Sequence, residues 1–140
     1  MTLVVDASVA VQWLFPESQT DAAKRVLKHA REILAPDLLW AEVGSAMLKK
    51  INRKQISHDE AAAVLKEFQN YPIQITESKT LADTALAVAC DIGLSIYESL
   101  YLSLSYSRDC PLVTADRKFY DKVFCVYPQS ETVWVEDLKS

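Results

Sequence analysis

The sequence predicts an α/β fold of three layers, α/β/α, with a central and mainly parallel sheet. Short apolar segments rich in β-branched residues alternate along the chain with longer segments in which apolar residues recur every three or four positions. The chain has 140 residues, of which 50% are hydrophobic, and this is enough for one sizeable core. Because it has only two glycines and no low-complexity tract, we expect residues 1–140 to form a single domain.

The first half of the chain contains two predicted strands and two predicted helices. Residues 3–5 are short, apolar and β-branched, as in a buried strand. Apolar residues recur at helical spacing from Ser18 onward, and residues 32–36 then resemble a second strand. Residues 37–53 predict a helix, because an acidic residue lies at its start and basic residues lie near its end, where they complement the helix dipole.

The second half continues this alternation. A Ser-x-x-Glu capping box opens a predicted helix over residues 57–70, and residues 71–76 alternate like a strand. Helices are predicted over residues 78–93, where a glycine ends the apolar stripe, and over residues 95–108. The last predicted elements are a strand at 111–116, a short helix or turn at 117–123, and strands at 124–128 and 132–138.

The composition argues against several classes of protein. The amino terminus lacks the basic head and cleavage site of a signal peptide, and no apolar run approaches the ~20 residues of a membrane helix, so we expect a cytoplasmic protein without a membrane partner. Three widely spaced cysteines form neither a zinc motif nor a disulfide framework. The formal net charge of −4 argues against a surface that attracts nucleic acid over its whole area, although it allows a local basic patch.

Two aspartates follow apolar strands at equivalent places. Asp6 directly follows residues 3–5, and Asp116 ends the predicted strand at 111–116. Because the carboxyl ends of parallel strands meet at one edge of the sheet, where ligands bind in such folds, we expect both carboxylates at that edge. A buried ionised carboxylate is costly, so each must be exposed, paired or bound to a cation. The alternative is that each aspartate only caps the helix or turn that follows it.

Two glutamates lie on predicted helices, on faces that otherwise carry apolar residues. Glu42 shares a helical face with Leu38 and Ala46, and Glu98 lies on the side of its helix that we expect to face the sheet. Alternatives remain open for both glutamates. The alternative for Glu42 is a partly buried acid whose carboxylate is hydrogen-bonded by an arginine or a hydroxyl. The alternative for Glu98 is that it serves only as the capping-box partner of Ser95.

Four carboxylates at one edge of a sheet repel one another and are stable together only with protons or divalent cations among them. The four acids are Asp6, Glu42, Glu98 and Asp116. Hard oxygen ligands suit Mg²⁺ or Mn²⁺. Such ions lower the pKa of a bound water, orient it toward a phosphodiester and neutralise charge on the leaving oxygen. The leading hypothesis from these residues is a metal-dependent phosphodiesterase.

With these positions in view, the chain resembles the PIN-domain family of metal-dependent ribonucleases, specifically the VapC-type toxins of type II toxin–antitoxin pairs. The resemblance covers nearly the whole chain and rests on three motifs in this order. They are VVDASVAVQWLFPE near the start, APDLLWAEVGSAMLK in the helix predicted at 37–53, and SIYESLYLSLSYSRDCPLVTADRKF in the last third. The order of the motifs is quite specific, although each motif is weak alone.

The resemblance implies an activity, a set of site residues and two kinds of partner. It implies that the four acids bind Mg²⁺ or Mn²⁺ and are catalytic, that Thr114 supports them, and that the substrate is RNA. It also implies a homodimer and a cognate antitoxin whose C-terminal tail occupies the acidic cleft. The family usually has aspartate in a Y-D-x-x-Y-L pattern where Glu98 lies in YESLYL, and the extra methylene is enough to replace direct coordination by a water-bridged contact.

Other residues are secondary candidates. Ser8, two residues after Asp6, hydrogen-bonds a metal-bound water or only caps a turn. Asp121 adds a carboxylate to the site if the chain bends back, and the alternative is a solvated acid beside lysines. Basic residues predict contacts with RNA phosphates, although cations at the end of helix 37–53 also fit an ordinary solvated helix end. These residues are Lys49, Lys50, Arg53, Arg117 and Lys118.

Three other functions are alternatives to a metal-dependent endoribonuclease. A degenerate PIN domain would bind RNA or a protein without cleaving, and Glu98 is the departure that suggests it. An aspartyl-phosphate phosphatase is disfavoured because it needs D-x-D where this chain has DAS. A phosphoacceptor receiver domain is disfavoured because it needs an acid pair after the first strand and a lysine late in the sheet.

Overall fold

The computed structural model describes residues 1–128 and 130–139 and contains a five-stranded sheet. The strands are β1 (Thr2–Val5), β2 (Glu32–Pro36), β3 (Ile73–Thr76), β4 (Leu112–Thr114) and β5 (Thr132–Trp134). Their order in the sheet is β3-β2-β1-β4-β5, and every neighbouring pair is parallel. The predicted fold class is therefore confirmed, with a sheet that is parallel throughout.

Helices cover both faces of this sheet. They are α1 (Ala7–Leu14), α2 (Thr20–His29), α3 (Leu38–Asn52), α4 (His58–Phe68), α5 (Ser78–Ile92), α6 (Ile96–Arg108) and α7 (Arg117–Val126), followed by a 3₁₀ turn at Val135–Asp137. Helices α1 to α4 contribute to one buried core and α5 to α7 to the other. The result is the three-layer arrangement in which both faces of a parallel sheet are shielded from water.

The alternation of side chains along β1 explains why the sheet has a core on each face. Leu3 and Val5 pack in the core formed with α1 to α4, whereas Val4 packs in the core formed with α5 to α7. Successive residues of a strand point to opposite faces, and all three side chains are fully buried. Burial of each such side chain contributes roughly 1.5–3 kcal/mol, so this strand anchors both layers.

Helix ends follow the signals in the sequence at several points. The predicted capping boxes of Ser57 with Glu60 and of Ser95 with Glu98 are both present. Gly93 ends α5 in the left-handed conformation with φ of +77°, which a residue without Cβ adopts at little cost. Local hydrogen bonds between near neighbours therefore determine where these helices begin or end.

Three segments differ from the sequence prediction. Residues 132–138 were predicted as one strand, but β5 ends at Trp134 and a 3₁₀ turn follows at Val135–Asp137. Helix α1 was not predicted, because ASVAVQWL is apolar on most sides and lacks the polar face of an amphipathic helix. Residues 124–128 were predicted as a strand, and this is wrong, because α7 continues through Val126. The aromatic and β-branched residues there favour a strand locally, yet Phe124 and Val126 lie on exposed turns of the helix.

The order of the strands creates a crevice beside β1. The chain runs from β1 to β2 and β3 on one side, and then crosses to β4 on the other side. The carboxyl ends of β1 and β4 therefore lie next to each other at the point where the strand order reverses, which is where open α/β sheets bind ligands.

Within the described ranges, no single helix has both the length and the apolar character needed to cross a membrane. Only α5 and α6 taken together meet that test, and they are bent by 113° relative to each other.

Candidate active site

Asp6 is fixed at the carboxyl end of β1 by three donors from the chain. Its Oδ1 accepts hydrogen bonds from the Ser8 N–H at 3.0 Å and from the Ser8 hydroxyl, and its Oδ2 accepts one from Thr114 Oγ1 at 2.7 Å. Ser8 Oγ in turn accepts from the Ala115 N–H at 2.9 Å. These bonds join the start of α1 to the end of β4 and orient the Asp6 carboxylate.

Burial dominates the electrostatics of Asp6. The residue is only 6% exposed, and desolvation raises the pKa of its carboxyl from 3.8 to about 6, even though hydrogen bonds from Ser8 and Thr114 act in the opposite direction. The nearby negative charge of Asp116 adds to this increase and is included in that value. Burial therefore destabilises the ionised Asp6 carboxylate, and a proton or a cation would stabilise it.

Asp116 lies just beyond β4, beside Asp6 but closer to solvent. It is exposed, and its Oδ1 accepts from the Phe119 N–H at 3.3 Å, which makes it the N-cap of α7. Its own N–H donates to Thr114 Oγ1 at 3.0 Å. Thr114 therefore contacts both strand-end aspartates, as a supporting residue of this site should.

Glu42 reaches the same region from α3. It is half-buried, and its Oε1 is a buried atom without a hydrogen-bonding partner among residues 1–128 and 130–139. Burial raises the pKa of Glu42, the approach of the Tyr101 hydroxyl partly offsets this, and the charges of Glu98 and Asp116 raise it again. No arginine or hydroxyl in the described residues completes a hydrogen bond to that oxygen.

Glu98 has two roles in the structure that the sequence could not separate. Its Oε1 accepts from the Ser95 N–H at 3.2 Å, which completes the capping box, and the same oxygen lies 3.9 Å from Lys122 Nζ. The side chain is 27% exposed and lines the same cavity as the other three acids. Glu98 therefore completes the capping box and also lines the acidic cavity.

The four predicted acids line one small cavity of about 80 Å³ together with Ser8 and Tyr101. A larger groove of about 440 Å³ also reaches Glu42 and Asp116 and extends to Lys49 on α3. Among the residues that the structure describes, no three Asp, Glu, His or Cys side chains are close enough together to form a metal-binding cluster. The acids thus share a cavity without converging on one point.

The donor set nevertheless fits a divalent cation. Carboxylate oxygens are the ligands that Mg²⁺ and Mn²⁺ prefer. Among the described residues, no ion pair neutralises Asp6 or Glu42, and Glu42 Oε1 has no hydrogen-bonding partner there. Lys122 is the cation found near Glu98 in the described chain, and at 3.9 Å it compensates part of the charge of one acid only. The residues present therefore suit a cation by their chemistry.

The predicted basic residues are not equivalent. Lys49 lines the larger groove, whereas Lys50 forms an ion pair with Glu17 at 3.2 Å. Arg117 lies 4.2 Å above the Trp134 ring and 3.9 Å from Asp121. The structure shows Arg53 and Lys118 as exposed side chains that do not line either cavity.

Asp121 lies outside both cavities. It is exposed and forms an i, i+4 ion pair with Arg117 on the surface of α7. This is the solvated position that the sequence left open as the alternative, and the structure does not bring Asp121 to the acids.

Sequence reasoning missed Tyr101 as a site residue. In the sequence it lies on the same helix side as Glu98 among apolar residues, yet its buried hydroxyl lies in the acidic cavity. Its position three residues after Glu98 on one helical face is a signal that could have identified it.

Known proteins resemble this chain over most of its length. Ribonuclease VapC3 of Pyrobaculum aerophilum is 29% identical over 124 residues, which cover 87% of this chain and 95% of that protein. The crystal structure of PAE2754 from Pyrobaculum aerophilum matches with a TM-score of 0.73 at 25% identity, covering 97% of this chain and 93% of that one. A toxin–antitoxin complex from Klebsiella pneumoniae matches with a TM-score of 0.62 at 16% identity over 97% of this chain and 99% of that chain, a likeness of fold.

A family model also matches most of the chain. The family model of the PIN domain matches residues 3–124. This range includes strands β1 to β4 and all seven helices, each to within two residues, and every acid of the cavity. The predicted resemblance is confirmed, and this chain belongs to the PIN domain family.

Proposed function

We propose that this chain is an endoribonuclease that hydrolyses RNA phosphodiester bonds and serves as the toxin of a type II toxin–antitoxin pair. The observation that carries the proposal is that Asp6, Glu42, Glu98 and Asp116 line one cavity at the carboxyl edge of the sheet. The name of the similar Pyrobaculum aerophilum protein, a VapC ribonuclease, supports the same reaction. The proposal treats residues 1–140 as one nuclease domain.

The activity that we propose depends on Mg²⁺ or Mn²⁺ held by these four acids. When bound, the ion supplies an activated water and neutralises charge on the phosphodiester. The chain supplies the frame for this chemistry. Ser8 and Thr114 fix the Asp6 carboxylate, and the N-cap hydrogen bond to Phe119 fixes that of Asp116. These bonds orient the carboxylates of Asp6 and Asp116 at the edge of the sheet.

The larger groove is the path that we propose for the RNA strand. It runs from Glu42 and Asp116 to Lys49, two helical turns along α3 from Glu42. The Lys49 ammonium can contact a phosphate beside the cleaved bond, while Lys50 is engaged with Glu17. We also propose a homodimer and an antitoxin partner, and the likeness to the fold of a toxin–antitoxin complex supports the second of these.

The test is cleavage of structured RNAs by the purified protein with Mg²⁺ or Mn²⁺. We expect Asp6→Asn and Asp116→Asn to abolish cleavage. Asp121→Asn is the matched control, because it removes the same charge outside the cavity and should leave cleavage unchanged. Cleavage that survives both cavity substitutions would contradict the proposal. RNA binding without cleavage by the wild-type protein would instead favour the degenerate PIN domain.

A further inference from the structure

Tyr101 carries a polar group that the fold does not use. The residue is 2% exposed on α6, and its hydroxyl is a buried atom without a hydrogen-bonding partner in the described part of the chain. A buried hydroxyl that lacks a partner costs about 1–3 kcal/mol, whereas phenylalanine would fill the same space without that cost. Packing therefore explains the ring of Tyr101 but not its oxygen.

The unused hydroxyl lies beside an unused acceptor. Glu42 Oε1 is also buried and without a partner in the described residues, and both side chains line the small acidic cavity. A phenol donates one hydrogen bond and a carboxylate accepts, so the two groups are complementary. An ordinary tyrosine hydroxyl is protonated at neutral pH, so it is available as a donor.

We propose that Tyr101 is a positioning residue that donates its hydroxyl to Glu42 Oε1 and so holds the other carboxylate oxygen toward a divalent cation in the cavity. The proposal rests on the proposed metal-dependent function and adds a residue to it. Tyr101 acts on the cation only through Glu42. Hydrogen bonds that orient a metal ligand in this way are typically worth 10–100-fold in metal affinity.

The experiment measures Mn²⁺ affinity by calorimetry in the absence of RNA, for the full-length wild-type protein and for Y101F, E42Q and the double variant. We expect Y101F to weaken Mn²⁺ binding 10–100-fold. In the E42Q background, the same change should alter the remaining affinity less than about twofold, because the carboxylate that Tyr101 positions is already gone. Thermal melting without metal checks that Y101F is folded.

Tyr71→Phe is the matched control. Tyr71 packs its ring against Trp13 and Phe68 in the core on the other face of the sheet, so the loss of its hydroxyl should leave Mn²⁺ affinity unchanged. A second measurement uses wild-type protein labelled with 3-fluorotyrosine. The ¹⁹F resonance of Tyr101, assigned with single Tyr→Phe variants, should move on addition of Mg²⁺ and should not move in E42Q.

Three outcomes would overturn the proposal. If Y101F binds Mn²⁺ as tightly as the wild type, or if Mg²⁺ does not shift the ¹⁹F resonance of Tyr101, then Tyr101 has no positioning role. Either result leaves the metal site intact. An equal loss of affinity from Y101F with and without Glu42 shows that Tyr101 acts on the fold rather than on that carboxylate. Wild-type protein that binds no Mn²⁺ removes the proposed metal-dependent function together with this inference.

Discussion

At the scale of single residues, the site is built from carboxylates that also shape the backbone. Asp6 and Asp116 cap α1 and α7, and Glu98 completes the capping box of α6. Three helix N-termini therefore lie around one cavity, and their partial positive charge offsets some of the repulsion among the acids. A capping role and a catalytic role are thus compatible, although the sequence presented them as alternatives.

The buried carboxyl of Asp6 predicts a specific dependence of stability on pH in protein kept free of metal. Its pKa rises from 3.8 in the unfolded chain to about 6 in the folded one, so the folded protein binds more protons between these values. Wild-type stability should therefore fall as pH rises from about 4 to about 6. Asp6→Asn should reduce this fall, because the raised pKa of Glu42 contributes the rest, and should be more stable at pH 7 by at most about 3 kcal/mol, less what the amide loses as an acceptor.

Urea denaturation in EDTA at several pH values measures this effect. Asp83→Asn, at an exposed position on α5, is the control and should leave the shape of the pH curve unchanged. If the Asp6→Asn and wild-type curves run parallel from pH 4 to pH 7, the carboxyl of Asp6 is not destabilised by burial.

Two substitutions at Glu98 separate capping from cation binding. Glutamine keeps the capping box with Ser95, so Glu98→Gln should change the free energy of unfolding by less than about 0.5 kcal/mol and yet weaken Mn²⁺ binding. Glu98→Ala loses both functions and should cost about 1 kcal/mol of stability. Thermal melting and calorimetry measure the two effects. Wild-type Mn²⁺ affinity in Glu98→Gln would mean that Glu98 only caps its helix.

At the scale of elements, local signals predicted helix ends better than they predicted helices inside the core. The capping boxes and Gly93 depend on atoms a few residues apart, and they were predicted where they occur. Helix α1 is packed between the sheet and its neighbouring helices, so its residues Val9 to Trp13 are all buried and leave no polar stripe to recognise. Tertiary packing thus decided that conformation, which no amphipathic pattern indicated.

The two glycines predict opposite effects when replaced by alanine. Gly93 has φ of +77°, so Gly93→Ala places a Cβ in the left-handed region and should cost about 1 kcal/mol. Gly44 lies inside α3 with open space at its Cβ position, so Gly44→Ala should stabilise by about 0.5–1 kcal/mol. Thermal melting of both variants measures this difference. If both variants changed the melting temperature equally and in the same direction, backbone conformation would not determine these stability changes.

At the scale of the whole molecule, the net charge is −4, and among the described residues Lys49 is the cation that lines the groove beginning at the acidic cavity. We predict that Lys49→Glu weakens RNA binding and lowers the slope of log K against log salt by about 0.7 for the lost phosphate contact. Fluorescence anisotropy with single-stranded RNA measures it, in Asp116→Asn protein so that the RNA stays intact. Lys24→Glu on α2 changes the net charge equally at an exposed position outside the groove. Equal losses from both variants would exclude the groove as the RNA path.

The sequence by itself determined the strand–helix alternation, most helix ends and the four acids, because each depends on residue type and on neighbours within a few positions. Only the tertiary structure decided that Tyr101 faces Glu42, that Asp121 turns away to Arg117, and that Lys49 rather than Lys50 lines the groove. These facts depend on which helix faces lie against each other once the sheet is covered. Such long-range packing places side chains from distant parts of the chain side by side, and no local pattern records it.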